Sequence, residues 1–483
     1  MSGWVIVAAW LAVVGFYQSV KPLPPGMNYK GQAYHISDDD IDFLSDISYI
    51  DQAGKKLYDH EIADAVLSLV DSAENYILFD MFLFNNYRGP LGFAHRDITT
   101  TVTDKLIAKK RSHPDIAIDF ITDHVNTFYG GSESTYLEEM SAAGINVIIT
   151  DLKELRDNNF LYSSIWRTFF QWFGNTSKGG FLPHPFSKDE SPVTLRSYLR
   201  LLNTKANHRK VFIADNGDSM VSIVTSWNAH SASSSFSNVA IRIRGEIWKD
   251  LYEIESHVAR LSDAKLERTM GDDSEIRPHK SSNDNVIIVQ ILSEKQIETA
   301  LLEKLDRTAL GDTVSVAMFY LSRKKVINGL LRAAANGAHV RLILDPNKDG
   351  FGFRRIGIPN RPVANHLTVR SFGRIKIRWY HTHGEQYHPK FVMIKNINGK
   401  VWVLLGSANL TRAQLDNYNL ELNVQVMMKD SSALYEKMKT YYDRLWNNKD
   451  GNIYTVDYEV FKSESLIKEG IYRFQEMTGL ATY

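Results

Sequence analysis

Two stretches far apart in this chain repeat one arrangement. His208-Arg209-Lys210 and His388-Pro389-Lys390 are each followed by an apolar run and then a Ser-x-Asn triplet, Ser226-Trp227-Asn228 and Ser407-Ala408-Asn409. The apolar runs, Val211 to Ala214 and Phe391 to Ile394, read as buried strands. A His and a Lys two positions apart on a strand point the same way, because side chains alternate faces. Each copy can therefore present one imidazole, one ammonium and two neutral hydrogen-bonding groups to a common point. Doubled, this is an anion pocket with two histidines, the equipment for displacement at phosphorus.

The surrounding elements are duplicated as well. In the first half a helix over Glu61 to Ala73 precedes a strand from Tyr76 to Leu83. A helix near Thr101 to Lys110, a strand Ile116 to Thr122, a helix Thr135 to Ala143 and a strand Ile145 to Thr150 follow. The second half repeats the order with a helix Glu294 to Leu305, a strand Thr313 to Tyr320, a helix Lys325 to Ala335 and a strand Val340 to Leu344. The runs IDFITD, ending at Asp123, and VRLILD, ending at Asp345, are alike. Alternating helices and strands in both halves predict an α/β fold of two tandem sandwich halves. A length of 483 residues suits two similar domains.

The boundaries follow from composition: an apolar anchor over 1–25, a first half over 26–261, a polar linker over 262–284 and a second half over 285–483. The second half ends in amphipathic helices, Ala433 to Leu445 and Glu464 to Met477, which should pack on it. Gly3 to Val20 carries no charge, and eighteen residues at ~1.5 Å each span about 27 Å, enough for a bilayer core. A cleaved signal peptide wants a basic start and a small-x-small site. Neither stands here, so an uncleaved single-pass anchor is the preferred reading over a signal peptide or core helix. Lys21 and Lys30 follow the span and no basic side chain precedes it, which favours a cytoplasmic body.

The halves differ in length. Asp123 and His208 are 85 positions apart and Asp345 and His388 are 43 apart, so the first half carries an insertion, mostly between Asp151 and Arg200. Nine of the 27 residues from Phe160 to Phe186 are aromatic, set among Arg167, Lys178, Arg196 and Arg200. Core packing is the plain reading. Such density in an insertion, rather than in the repeated scaffold, favours a lipid-facing lip.

Lysine plus arginine equals aspartate plus glutamate, so the net charge is zero, which argues against a nucleic-acid partner. The absence of cysteine excludes disulfides, thiolate ligands and cysteine nucleophiles.

The paired motifs resemble the phospholipase D superfamily, whose pattern is His-x-Lys, four residues, Asp, then Gly-Ser-x-Asn. The first copy fits through Asp215 and has Thr225 in place of the Gly; the second keeps Gly406 but has Lys395 in place of the Asp. Asn419-Leu420-Glu421 resembles the family's downstream acid. Matched to it, the first copy reads Asn238-Val239-Ala240, with no carboxylate. The resemblance implies two phospholipase D-type halves packed pseudo-symmetrically around one active site. It implies catalytic roles for His208, Lys210, His388, Lys390, Asp215 and Glu421, and phosphate binding by Ser226, Asn228, Ser407 and Asn409. His208 would be the nucleophile and His388 the general acid, with no metal and no cofactor.

The anchor, neutral charge and aromatic insertion look most like bacterial cardiolipin synthases. They imply an anionic glycerophospholipid substrate, a bacterial cell membrane as partner, and no need for an oligomer to complete the site. A phospholipase D hydrolase, a nuclease of the same superfamily and an inactive lipid-binding homologue are the alternatives. His381 and His383 lack a third metal ligand at suitable spacing and read as lining the pocket mouth. The turn-rich stretch from Asp345 to Gly352, with Arg354, Arg355, Asn360 and Arg361 behind it, is a candidate head-group contact.

Overall fold

The apolar runs after the two His-x-Lys pairs become central strands of two separate sheets, Lys210–Asn216 and Lys390–Lys395. The computed structural model describes residues 3–87, 94–203, 205–217, 219–268, 286–350 and 353–480. Linker positions from 269 onward, and Phe351 and Gly352 of the turn-rich stretch, lie outside the described residues.

Strand order is the same in both sheets. In the first, Lys210–Asn216 lies between Ser219–Thr225 and Tyr76–Met81. Asn238–Arg244 and Ile41–Ile50 continue one side, Ala117–Thr122 and Asn146–Ile149 the other. In the second, Lys390–Lys395 lies between Lys400–Gly406 and Thr313–Met318. Leu422–Lys429 and Val286–Ser293 continue one side, His339–Leu344 and Lys376–Tyr380 the other. The direction of each pairing also matches: Tyr76–Met81 with Ala117–Thr122 is parallel, and so is Thr313–Met318 with His339–Leu344. Parallel neighbours need a crossover, supplied by the helices Ile98–Ser112 and Lys324–Ala335.

The halves are laced together at the edges. Tyr34–Ser37, which follows the apolar amino-terminal helix in sequence, pairs with Val286–Ser293 of the second sheet. Thr455–Asp457 closes that sheet's other edge against Lys376–Tyr380.

Alternation along the strands builds three cores. Val211 and Ile213 face a core that also contains Phe391 and Met393, so both halves share it. Phe212 and Ala214 face an outer core with Val66, Val102 and Leu106. Val392 and Ile394 face the corresponding outer core with Leu301 and Leu330. Fifty buried apolar side chains in common, counted among the described residues, make the halves one unit rather than two beads.

Gly3–Val20 is a helix long and apolar enough to cross a membrane, and only 6% of it is buried, so it is not a core helix. It packs on the insertion, where Phe160–Ile165 runs into a π-helical stretch, Trp166–Phe170. Trp166 is buried, while Phe169, Phe170, Trp172, Phe173 and Phe181 are exposed. The tail helix Ala433–Trp446 is buried along one side as expected. The last helix, Leu466–Thr478, has no buried residue and packs only along part of its surface.

Candidate active site

Lys210 and Lys390 open their strands, and His208 and His388 stand two residues earlier, where each chain meets a segment of the opposite half. Asn207 bridges to Leu420 and Tyr387 bridges to Ser237, both parallel. The His208 N–H donates to the Leu420 carbonyl and the His388 N–H to the Ser237 carbonyl, at 2.9 Å in each case. Each histidine is therefore fixed by a segment of the other half.

The residue after each of those segments meets the imidazole. His208 Nδ1 lies 3.0 Å from the Glu421 carboxylate, and His388 Nδ1 lies 3.0 Å from Asn238 Oδ1. The Ser407 hydroxyl donates to Glu421, and the Ser226 hydroxyl to Asn238 Oδ1 at 3.1 Å. Each lysine ammonium donates to the carbonyl of its own histidine. Phe82 packs on the His208 ring at 4.7 Å and Phe319 on the His388 ring at 5.0 Å. The same two phenylalanines lie under Lys210 and Lys390. The two copies thus form one buried cluster with a pseudo-twofold relation.

Its electrostatics favour an anion. Burial, then the Lys210 and Lys390 charges, hold His208 well below the ordinary histidine range. His388 is held down in the same way by burial, Lys390, Lys210 and His208. Burial pulls Lys210 down to about 7, partly opposed by Glu421, Asp80 and Asp123. Lys390 is depressed by burial and by Lys210. Burial raises Glu421 to about 7 against both lysines. A phosphate entering this cluster would favour the protonated form of the two lysines beside it.

Two expectations are corrected. Asp215 stands at the far end of its strand, about 23 Å from His208 at ~3.3 Å per residue. Its carboxylate accepts from the backbone N–H of Glu74 (3.0 Å), Asn75 (3.0 Å) and Tyr76 (2.7 Å), so it secures the turn before Tyr76–Met81 and is not catalytic. In the second half the same link is made from the neighbouring strand: Asp312 accepts from Asn396 and from the Ile397 N–H. That exchange explains why Lys395 can replace the aspartate. The other correction is the counterpart of Glu421, which is Asn238 and not Ala240. Ser226 N–H bonds to Val239 as Ser407 N–H bonds to Leu422, which places Asn238 opposite Glu421.

Thr225 is likewise accounted for. It fits its strand end, its hydroxyl donating to Val239. Gly406 has φ +154°, and a Cβ there would lie 2.4 Å from the Leu422 carbonyl. Only the second half needs the glycine.

Of the remaining candidates, Asn228 Oδ1 accepts from Leu83 N–H, and Asn409 Oδ1 is buried without a hydrogen-bond partner. Asn360 is withdrawn from head-group contact, because its amide holds the Phe319 and Asp345 carbonyls and the Leu321 N–H. Glu385, two residues past His383, is buried and pairs with Lys56. Among the described residues no group of three or more His, Asp or Glu could hold a metal.

The structure adds residues that the motifs did not mark. Asp123 and Asp345 each accept, at 2.7 Å, the N–H of the residue preceding a site histidine. Their repeated place at the ends of IDFITD and VRLILD was the available signal. Arg209 is wholly buried and donates to Glu294, which also accepts the Glu421 N–H at 3.0 Å. Glu294 thus ties the first motif to the acid that holds its histidine.

Residues 301–446, which carry the second motif and Glu421, match the family model described as "Cardiolipin synthase, PLD-like domain". The chain carries a phospholipase D-like domain. Phosphatidylserine synthase from Haemophilus influenzae Rd KW20 has a similar fold over 94% of this chain and 96% of that one, with 10% identity and a TM-score of 0.54. Nuc, a phospholipase D family member from Salmonella typhimurium, aligns with 37% of this chain and 99% of that one, at 18% identity and a TM-score of 0.27. No curated protein matches the chain.

Proposed function

We propose that this chain is a membrane-anchored phosphatidyltransferase of the cardiolipin synthase type. It would join two phosphatidylglycerol molecules and release glycerol, through a phosphohistidine on His208. The observation that carries the reading is the meeting of both His-x-Lys pairs in one buried cluster, each histidine held by the opposite half.

The two partners suit different roles. A phosphorylated imidazole keeps its Nδ1 proton and its positive charge, which the Glu421 carboxylate would stabilise. That supports His208 as the attacking group on phosphorus, forming the N–P bond as the glycerol oxygen leaves. A neutral amide gives the His388 imidazolium no such support and leaves it a stronger acid, suited to protonating the departing alcohol. Deprotonated, the same Nε2 would then activate the incoming hydroxyl. Lys210, Lys390, Asn228 and Asn409 would hold the non-bridging oxygens.

Membrane attachment draws support from how the apolar helix is fastened. The Asp157 N–H donates to the Gln18 carbonyl at 2.9 Å, and Arg156 donates to the Lys21 carbonyl at 2.6 Å. A Cβ on Gly15 would lie 2.9 Å from the Phe160 carbonyl. A helix seated this closely on the body fits a retained span better than a removable leader.

Phosphatidylglycerol in bilayers, labelled in the phosphatidyl group, tests the proposal. Diphosphatidyl lipid as product, with label trapped on His208, is the expected result. Phosphatidic acid alone would assign water as acceptor and make the protein a hydrolase. Label on neither histidine, with no product, would sink both. Cleavage of DNA or RNA in low-salt buffer without lipid turnover would favour the nuclease reading.

A further inference from the structure

The last helix, Leu466–Thr478, is amphipathic with its apolar side turned outward. Leu466, Ile467, Phe474 and Met477 are each more than half exposed. Ile467, Ile471 and Phe474 fall at helical spacing on one face. The opposite side is the one that packs. Tyr472 donates to the Ser322 carbonyl at 3.0 Å, and the Ser322 hydroxyl donates to Glu476 at 2.6 Å. A helix that spends polar contacts on its own protein and leaves a row of large apolar groups outside needs a cover for that row.

Its position says what the cover is. The helix ends at Gly479 in the left-handed conformation, where a Cβ would lie 2.0 Å from the Asn158 carbonyl. Asn158 immediately precedes Asn159, the cap of the aromatic helix Phe160–Ile165. That helix in turn packs on Gly3–Val20. The last helix, the insertion and the anchor therefore adjoin one another, although they come from three distant parts of the sequence. The helix carries Lys468, Glu469, Arg473 and Glu476, two charges of each sign, so attraction to anionic lipid is not what would hold it. Burial of the apolar row would.

We propose that the outer face of Leu466–Thr478 is a membrane-docking surface that lies in the bilayer interface beside the anchor. The proposal rests on the reading of Gly3–Val20 as a span. It also gives the helix a part in aiming the site: Arg412, three residues past Asn409, donates to the Glu476 carbonyl at 2.8 Å and the Met477 carbonyl at 3.0 Å. Docking would press that loop, and with it the phosphate site, toward the lipid surface.

The chain has no cysteine, so single labels are readily placed in the full-length protein. Phe474→Cys, Trp172→Cys, Val13→Cys and Ile397→Cys would each carry an environment-sensitive fluorophore in phosphatidylglycerol–phosphatidylcholine vesicles. Ile397 lies in the turn at the opposite end of Lys390–Lys395 from the site. The expected result is several-fold stronger quenching by nitroxide-bearing lipid at 474, 172 and 13 than at 397, with the reverse order for aqueous iodide. A 474 label as open to iodide as that at 397 overturns the proposal. So does one shielded from iodide yet untouched by lipid quencher, which would report a second copy of the chain on that face. Absence of lipid quenching at 13 would instead overturn the span reading, whatever label 474 shows. None of these readouts depends on turnover, so the assignment of the reaction stands or falls separately.

Discussion

Glu421 and Asn238 occupy equivalent places in the two halves, yet one offers a carboxylate to a histidine and the other an amide. Much around them is matched: the parallel bridge that brings in each histidine, the serine that bonds to each partner, the lysine and the phenylalanine. The difference that touches each imidazole directly is the charge opposite Nδ1. On the proposed mechanism, the duplicated scaffold divides two jobs between identical side chains by changing the support behind them. A histidine that must carry a phosphoryl group and a positive charge gains from an anion behind it. A histidine that must give up a proton gains from having none.

The comparison breaks most visibly at the histidines themselves. His208→Ala should lower turnover by about 10⁴–10⁶-fold and remove the covalent label, as loss of a nucleophile does. His388→Ala should cost about 10²–10⁴-fold, the range for a general acid, and leave a label that decays slowly. Peptide mapping of labelled protein decides between them. Label retained in His208→Ala would invert the assignment.

Glu421→Gln makes both halves amide-supported. A loss of about 10–100-fold in kcat is expected, with KM for phosphatidylglycerol little changed. A loss no larger than that of Asn238→Ala would mean that the carboxylate carries no special role.

Anion binding sharpens the electrostatic side. Lys210 has its folded-state value pulled from 10.5 to about 7 by burial, so above about pH 7 the empty site loses that proton, while a bound anion draws it back. Binding then takes up a proton, and affinity falls as pH rises from about 7 toward 10.5. Sulfate does not titrate in this range. Its Kd from calorimetry should rise by up to about tenfold per pH unit for one linked proton. A flat profile would place Lys210 outside the anion's reach.

Asn238→Asp makes both halves carboxylate-supported. The His388 imidazolium would gain an anion 3.0 Å from Nδ1, and its limb in the pH–rate profile should move up by about one to three units. The change in kcat at neutral pH should be smaller than that of Glu421→Gln. An unmoved limb would show that the amide does not set the acidity of His388.

How far the sequence speaks depends on whether a feature is periodic, repeated or neither. IDFITD and VRLILD were legible as strands because alternation and repetition coincide there, and they fall within Ala117–Thr122 and His339–Leu344 almost as read. The His-x-Lys and Ser-x-Asn motifs were legible because they recur as units. Asn238 was not, because the loop before it is two residues shorter than its counterpart. Ser226 and Asn238 are 12 apart, Ser407 and Glu421 are 14 apart. Alignment on the asparagine therefore slid the acid's place onto Ala240. The crossing of Tyr34–Ser37 to the other half's sheet was also hidden. Four residues can form a strand on either edge, and only tertiary packing chooses the partner.

The smallest effect on turnover is expected at Asp215, where sequence pattern and structure disagree about purpose. Its carboxylate holds three consecutive backbone N–H groups at the end of the molecule away from the histidines, where in the second half Asp312 holds the Ile397 N–H and the Asn396 side-chain amide. Asp215→Asn keeps the size but weakens acceptors that serve buried donors, a loss of about 1–3 kcal/mol in stability. Turnover per folded molecule should stay within about twofold, since a substitution this far from the reacting groups shares no partner with them. Asp312→Asn should behave alike, because the two acids make one link from opposite sides. If Asp215→Asn instead lowered kcat as Glu421→Gln does, without lowering the melting temperature, the acid five residues past Lys210 would have to be returned to the chemistry.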